Sequence, residues 1–348
     1  MDAARAVLEH LLDRQDLSAD GAAALLQILA QAGTAPVLAG ALLTALRAKG
    51  VTAPEVRGFA AAMRALARKP DLAGAGGAID IVGTGGDASG SLNLSTGAAF
   101  LTAACGLPVI KHGNRSISSR SGSADVIERL GFTLPLGEAA AARCFAETGF
   151  TFLFAPYYHP AMKSLAPVRA ALGIRTVFNL LGPLTNPAEP GFRLIGAYDA
   201  AAAELIAQSL AGTEIERAWV VHGAAGWDEV TPSGPFLAFD VTRRGVRRLS
   251  FDPADIGMRR CEPADLAGGD PDANFAALCA VFAGHDRGPH LAALTLQAGL
   301  ALHVGGRAGS IADGVSMARA TVESGRAQSW LERLRGFAAA CLPEESLP

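Results

Sequence analysis

Apolar positions in the first seventy residues recur at helical spacing and give no strand signal. Leu8, Leu11 and Leu12 share a face, Ser18 stands where a cap for ADGAAALLQILAQAG is expected, and 38–48 and 54–67 repeat the period. Gly33 and Gly50 are expected to close two of these helices. A glycine- and proline-bearing stretch, KPDLAGAGGA (69–78), then interrupts the pattern. From Ile79 short apolar runs alternate with alanine-rich stretches. Strands are expected at 79–82, 108–111, 150–154, 193–198 and 218–223, with helices at 95–104, 124–130, 138–148 and 201–211. One more strand is expected at 247–251, followed by amphipathic helices to the C-terminus. The pattern predicts an α/β fold: a small all-helical N-terminal domain (1–70) and a large α/β domain (71–348) with a mainly parallel central sheet. Ligands of such sheets bind beyond the carboxyl ends of the strands. The loops after Val82, Lys111, Phe154 and Val221 are therefore where chemistry is expected.

Composition narrows the classes. A chain of 348 residues exceeds one small core, and its 50% hydrophobic and 18% charged residues exclude intrinsic disorder. Lys and Arg number 30 against 33 Asp and Glu, a balance that argues against a nucleic-acid coat or a membrane-surface protein. The longest near-apolar stretch, 97–110, is shorter than the ~18–20 residues of a membrane span. The N-terminus is charged throughout and shows no signal peptide, so a cytoplasmic location is expected. Cysteines at 105, 144, 261, 279 and 341 have no CxxC spacing and are expected to be reduced thiols. The histidines are scattered, without paired-ligand spacing, and no structural transition-metal site is expected.

The chemistry-bearing residues fall in the loops marked by topology. In VGTGGDASGSLNLST, Gly83, Gly85 and Gly86 let backbone N–H groups approach a ligand, and Asn93, Ser95 and Thr96 stand at the next helix N-terminus. That combination suits a phosphate, although a tight turn with a helix cap would use the same residues. KHGNRSISSRSGSAD (111–125) interleaves Lys111, Arg115 and Arg120 with serines and glycines, as a polyanion pocket or an exposed loop would. In the segment 154–187, His159, Lys163, Arg169 and Arg175 precede the Gly182-Pro183 turn, and an arginine beside aromatic residues suits a planar carboxylate. Asp228 and Glu229 follow a strand and a glycine loop; hard oxygen ligands of this kind hold Mg2+ together with phosphates.

GTGGD, NLST, KHGNRSISSRSGSAD, HPAMK, LGIRTVFNLLGPLTNP and the Asp-Glu pair occur in one order. On these motifs the chain resembles the anthranilate phosphoribosyltransferase family, within the nucleoside-phosphorylase-like phosphoribosyltransferases. The resemblance implies transfer of a phosphoribosyl group from 5-phosphoribosyl 1-pyrophosphate (PRPP) to the amine of anthranilate, with Mg2+, in a homodimer formed through the helical domain. It also implies that part of about 160–187 joins the small domain. By motif, Gly83, Gly85, Gly86, Asp87, Ser91, Asn93, Leu94, Ser95 and Thr96 would bind PRPP. Lys111, His112, Gly113, Asn114, Arg115, Ser118, Ser119 and Ser123 would complete that site. Gly83, Asn114, His159, Arg169, Gly182 and Pro183 would meet anthranilate, and Ser95, Asp228 and Glu229 would hold magnesium. No covalent nucleophile is expected, and neither nucleic acid nor membrane is an expected partner. Leu92, Trp227 and Gln297 depart from the family pattern. None is expected to touch a ligand residue, with Trp227 placed at the pocket mouth.

Overall fold

The computed structural model describes residues 2–31, 33–115 and 120–341. Four helices come first: α1 (Asp2–Leu12), α2 (Ala19–Ala30), α3 (Pro36–Lys49) and α4 (Ala53–Ala65). Ser18 caps α2 by accepting from the Gly21 N–H, as its position suggested. Gly50 closes α3 at φ 92°. Gly33 does not close α2; the helix ends at Ala30, capped by Gln31 in an extended conformation. Leucines at one face of each helix build a core: Leu11, Leu25, Leu26, Leu29, Leu42, Leu43 and Leu46 are all buried. Within it Glu55 accepts from Leu17 N, Thr52 N and Lys49 Nζ, so a buried acid is fully paired.

The sheet follows. Its strands are β1 (Ile79–Gly83), β2 (Val109–Gly113), β3 (Phe150–Phe154), β4 (Phe192–Gly196), β5 (Arg217–His222), β6 (Phe236–Thr242) and β7 (Gly245–Phe251), in the order β3-β2-β1-β4-β5-β6-β7. The first five positions pair in parallel, and β6 and β7 add antiparallel. The strand β6 was not expected from the sequence. Its segment FLAFDVT breaks apolar alternation and is buried on both faces at its centre, so a period-two pattern does not mark it. Helices fill the intervals: α5 (Leu94–Ala104), α6 (Ser123–Arg129), α7 (Glu138–Thr148), the short α8 (Ala155–Tyr158), α9 (Ala166–Leu172) and α10 (Phe178–Leu181), and α11 (Ala200–Leu210). The chain ends in α12 (Pro271–Phe282), α13 (Pro289–Val304), α14 (Ile311–Glu323) and α15 (Arg326–Ala340).

Two contiguous cores result. One lies between the sheet and α5, α13, α14 and α15, around Phe100, Phe150, Phe282 and Trp330. The other joins the N-terminal helices to Leu165, Val168, Phe178 and Leu181 of the 160–187 segment and to the opposite sheet face at Ile195 and Val220. Arg57 of α4 donates to the carbonyls of Gln208, Ser209 and Ala211, where the dipole of α11 favours a cation. No helix among the described residues is long and apolar enough to cross a membrane.

Candidate active site

The chain runs outward from β1 through β2 to β3 and then returns to place β4 on the other side of β1, so a crevice opens where strand order reverses. Two glycines end the strands there. A Cβ on Gly83 would lie 2.3 Å from Asp228 Oδ2, and one on Gly196 would lie 1.5 Å from the Asp228 carbonyl oxygen. Both strands are thus cut back to let the 223–230 loop cross their ends. Gly83 was singled out from sequence as a ligand contact; here it gives room to the acid. Gly196 carried no motif and was missed.

The crossing loop brings both acids inward. Asp228 is buried and its Oδ2 accepts from Gly85 N at 2.6 Å. Glu229 Oε1 accepts from Ser95 N at 3.1 Å, at the first turn of α5. A carboxylate at a helix N-terminus satisfies an orphan donor and meets the positive dipole end. Asn93 therefore does not cap α5 with its side chain, contrary to expectation. It instead donates to Ser121 O at 3.1 Å and accepts from Asn274 Nδ2 at 2.7 Å, pinning the loop to α12. Asp87 Oδ2 lies 3.4 Å from Asp228 N. Burial, then the charges of Glu229 and Asp87, push the Asp228 carboxyl well above the ordinary range. Burial pushes Glu229 up to about 7, against the bond from Gln297 and the charge of Lys111.

Lys111 is the buried cation of this group. Its Nζ donates to Ile81 O and stands 3.4 Å from Ser95 Oγ. Burial lowers its pKa, opposed by Asp80, Glu229 and Asp228. Three acids face one lysine, an excess of negative charge that fits a bound cation. Among the described residues no three His, Cys, Asp or Glu side chains converge on one metal position. Two carboxylates and a hydroxyl that leave the remaining positions to substrate oxygens suit Mg2+ rather than a structural transition metal.

The remaining phosphate-side residues spread along the rim. Ser91 Oγ meets Ser89 Oγ at 3.2 Å, and Leu94 and Thr96 are buried in the first turn of α5. The Gly86 carbonyl accepts from the guanidinium of Arg175, which lies 3.9 Å over the Tyr198 ring. Arg175 thus fastens the glycine loop to the far side of the crevice. Asn114 is exposed, and its carbonyl accepts from Ser123 Oγ at 3.1 Å; Gly113 leaves the space that Ser123 occupies. Arg115 turns away to Asp125 and Glu128 of α6. Ser118 and Ser119 lie outside the described residues.

The acceptor-side residues converge beside this. His112 Nδ1 lies 3.3 Å from the Gly182 carbonyl, and His112 Nε2 lies 3.2 Å from His159 Nε2. A carbonyl only accepts, so His112 carries its proton on Nδ1 and accepts a hydrogen bond at Nε2 from the His159 Nε2–H. His159 Nδ1 is buried without a hydrogen-bond partner among the described residues, with backbone groups of Met63 and Thr185 alongside. Burial, then the neighbouring His159, lowers His112 to about 3; burial lowers His159 to about 4. Both rings are therefore neutral. Arg169 is half-buried over the Phe178 ring at 5.2 Å and makes no ion pair among the described residues.

Asp80, and Asn186 inside the LTNP motif, hold the halves together, although the sequence reading gave neither a role. Asp80 accepts from His112 N at 3.3 Å and from Asn186 Nδ2 at 2.9 Å. Asn186 also donates to Ile110 O, which ties the Gly182–Asn186 turn to β2. From the helical layer Arg64 donates to Leu184 O at 2.7 Å. The charge at Asp80, inside the apolar strand IDIV, was the available signal. Trp227 is buried against the large core and does not sit at a pocket mouth. Gln297 does touch a ligand residue, since its Nε2 donates to Glu229 Oε2.

Known proteins share both layers of this architecture. Residues 75–328 match the model of the glycosyl transferase family a/b domain, and residues 5–67 match its helical bundle domain. An anthranilate phosphoribosyltransferase of Azorhizobium caulinodans is 43% identical over 99% of both chains. The chain belongs to the anthranilate phosphoribosyltransferase family. The crystal structure of the Thermus thermophilus member superposes with a TM-score of 0.90 at 39% identity, covering 97% of this chain and 100% of that one. The Saccharomyces cerevisiae member in complex with PRPP and Mg gives 0.89 at 25% identity, over 98% and 99%. Family membership thus extends over the helical layer and the sheet together, and makes the chain a glycosyltransferase that acts as a phosphoribosyltransferase in tryptophan biosynthesis.

Proposed function

We infer that this site moves the 5-phosphoribosyl group of PRPP onto the amine of anthranilate and releases pyrophosphate. The observation that carries the reading is the convergence of Asp228, Glu229 and Lys111 at the switch point, beside a cluster of neutral acceptor-side groups. The C1–oxygen bond to pyrophosphate breaks, the nitrogen–C1 bond forms, and the proton that the amine gives up passes to water or to the released pyrophosphate. No protein nucleophile is required, because the sugar ring oxygen stabilises a cationic transition state. The aromatic amine attacks as its neutral free base, so no general base has to activate it. The two histidines, neutral and bonded to each other, act as a wall rather than a proton acceptor.

Lys111 and the N–H groups of the glycine loop meet the pyrophosphate charge where it develops. Asp228, Glu229 and Ser95 would hold Mg2+, which when bound supplies positive charge to the leaving oxygens. Arg169 and Asn114 would take the anthranilate carboxylate. Gly83, His112, His159, Gly182 and Pro183 would shape the acceptor pocket and hold the amine facing C1. Ser91, Asn93, Leu94, Thr96, Arg115 and Ser123 would line the PRPP side.

The small domain, in this reading, comprises residues 1–70 with part of 160–187; shared packing of Leu165, Val168 and Phe178 with the N-terminal helices supports the division. Exposed Leu12 and Val37 on α1 and α3 support a homodimer through that layer. Following the loss of anthranilate fluorescence with and without PRPP and Mg2+ tests the activity. Dependence on all three components is expected, and turnover of thymidine with phosphate instead would replace the reading.

A further inference from the structure

The helix α13 is buried almost all round: between Leu291 and Val304 only Ala292 and His303 reach solvent. Its sequence there, LAALTLQAGLALHV, is apolar except for Thr295, Gln297 and His303. Thr295 satisfies its hydroxyl within its own helix, on Leu291 O and Ala292 O. His303 sits at the helix end against Ala308 O. Gln297 has no such local partner, and its amide is buried in the middle of the helix. An unpaired primary amide in that position would be costly, and a leucine would fill the space at no such cost.

Among the described residues the amide has one partner, the Glu229 carboxylate. Gln297 Nε2 donates to Oε2 while Ser95 N donates to Oε1, so both carboxylate oxygens are fixed from opposite elements. The small cavity between them is walled by Ile81, Leu194, Val221 and Val230. Asp228 and Ser95 also line it, and among the described residues Gln297 Nε2 is the only donor to Glu229 Oε2. Without Gln297 the carboxylate would keep one bond and gain freedom to turn about its χ3 axis.

We propose that Gln297 is the positioning residue of the metal acid: its amide sets the Glu229 carboxylate in the orientation from which Glu229 and Asp228 hold a divalent cation against pyrophosphate. The proposal deepens the PRPP reading above and rests on it. Groups that orient a metal ligand without touching the metal typically change affinity by about ten- to a hundred-fold when removed. Gln297→Met keeps the volume and removes the donor. Gln297→Asn keeps the amide and shortens its reach by one methylene.

The test uses the full-length protein with Mn2+ as an electron-paramagnetic-resonance reporter, titrated with and without inorganic pyrophosphate. The parent is expected to bind Mn2+ saturably in the presence of pyrophosphate. Gln297→Met should weaken that binding by about ten- to a hundred-fold, and Gln297→Asn by a smaller factor. In steady state the KM for PRPP should rise at limiting metal and recover at high metal, while the KM for anthranilate stays within about twofold. A purely structural amide would instead lower the thermal midpoint and leave Mn2+ affinity unmoved. Parental Mn2+ affinity in Gln297→Met overturns the proposal; should that variant fail to fold, parental affinity in Gln297→Asn does so. If the parent itself binds no Mn2+ with pyrophosphate, the metal reading fails first. A failure confined to the Gln297 variants leaves that reading standing.

Discussion

The phosphate side and the acceptor side of the crevice are built on opposite electrostatic plans. On the phosphate side Asp228, Glu229, Asp87 and Lys111 sit within one short region, with the Asp228 and Glu229 carboxyls driven up by burial and by neighbouring acids. On the acceptor side His112 and His159 are driven down to about 3 and 4 and stay neutral. The first half stores unbalanced charge that only ligands and a cation complete. The second keeps its two rings neutral, although the buried Arg193 and Asp80 stand close to His112. One half is therefore suited to neutralising a polyanion as it leaves, and the other to holding a flat neutral amine in place. Asp80 links the two: its charge acts on Lys111, while its carboxylate accepts from His112 N and Asn186 Nδ2.

The sharpest break falls on the charged half. Asp228→Asn with Glu229→Gln should lower kcat/KM roughly a hundredfold or more at limiting Mg2+, with circular dichroism unchanged. Near-normal activity with unaltered metal dependence would remove the acids from the metal role. Lys111→Met comes next, because it deletes the buried cation that faces Asp228 and Glu229. The KM for PRPP should rise about ten- to a hundred-fold, the worth of a lost charge-assisted contact, while that for anthranilate changes little. Equal effects on both would erase the division between the halves.

On the neutral half, Arg169→Ala should weaken anthranilate use by about tenfold and leave PRPP titration intact. Arg169→Lys should rescue it only in part, because a point charge cannot reproduce a planar two-donor contact. An alanine variant that uses anthranilate as the parent does would reduce Arg169 to packing on Phe178.

The smallest effect concerns pH. A histidine whose folded pKa lies below its unfolded value of about 6.5 takes up a proton on unfolding, so it lowers stability as pH falls from about 6.5 toward its folded pKa. Asp80, raised to about 6, and Glu229, raised to about 7, act in the opposite sense over part of the same window. The informative quantity is thus the difference between the parent and a His112→Gln, His159→Gln variant in urea unfolding. The parent should lose stability more steeply between about pH 6.5 and about pH 4. Parallel slopes would mean that the rings are not held neutral.

Legibility differed between the same two halves. The glycine loop and the acid pair follow strand ends and Lys111 lies on β2 itself, and strands are marked in the chain by a change of period. The acceptor half comes from His112, His159, Arg169 and the 182–186 turn, whose helices are four to seven residues long and carry no readable periodicity. The motifs located those residues, but nothing in the spacing showed that two imidazoles would share a proton. Gln297 lies 68 positions beyond Glu229, and in sequence it is one polar residue in an apolar helix. Asn93, read as a cap, is taken by Ser121 and Asn274 because Glu229 already occupies the α5 N-terminus.

Local chemistry was enough to determine much of this protein. Helical periodicity to about residue 70, strands alternating with helices beyond it, and loops carrying glycine, lysine and acid all follow from side-chain spacing and backbone preference. Those properties act between near neighbours in the chain. Tertiary structure alone decided that Gly83 and Gly196 make room for Asp228, that Gln297 reaches Glu229, and that Asp80 joins the two halves. Each of these is a contact between residues far apart in the chain, made where strand order reverses. Burial there withdraws water from polar groups, and each must then find a partner wherever the fold supplies one.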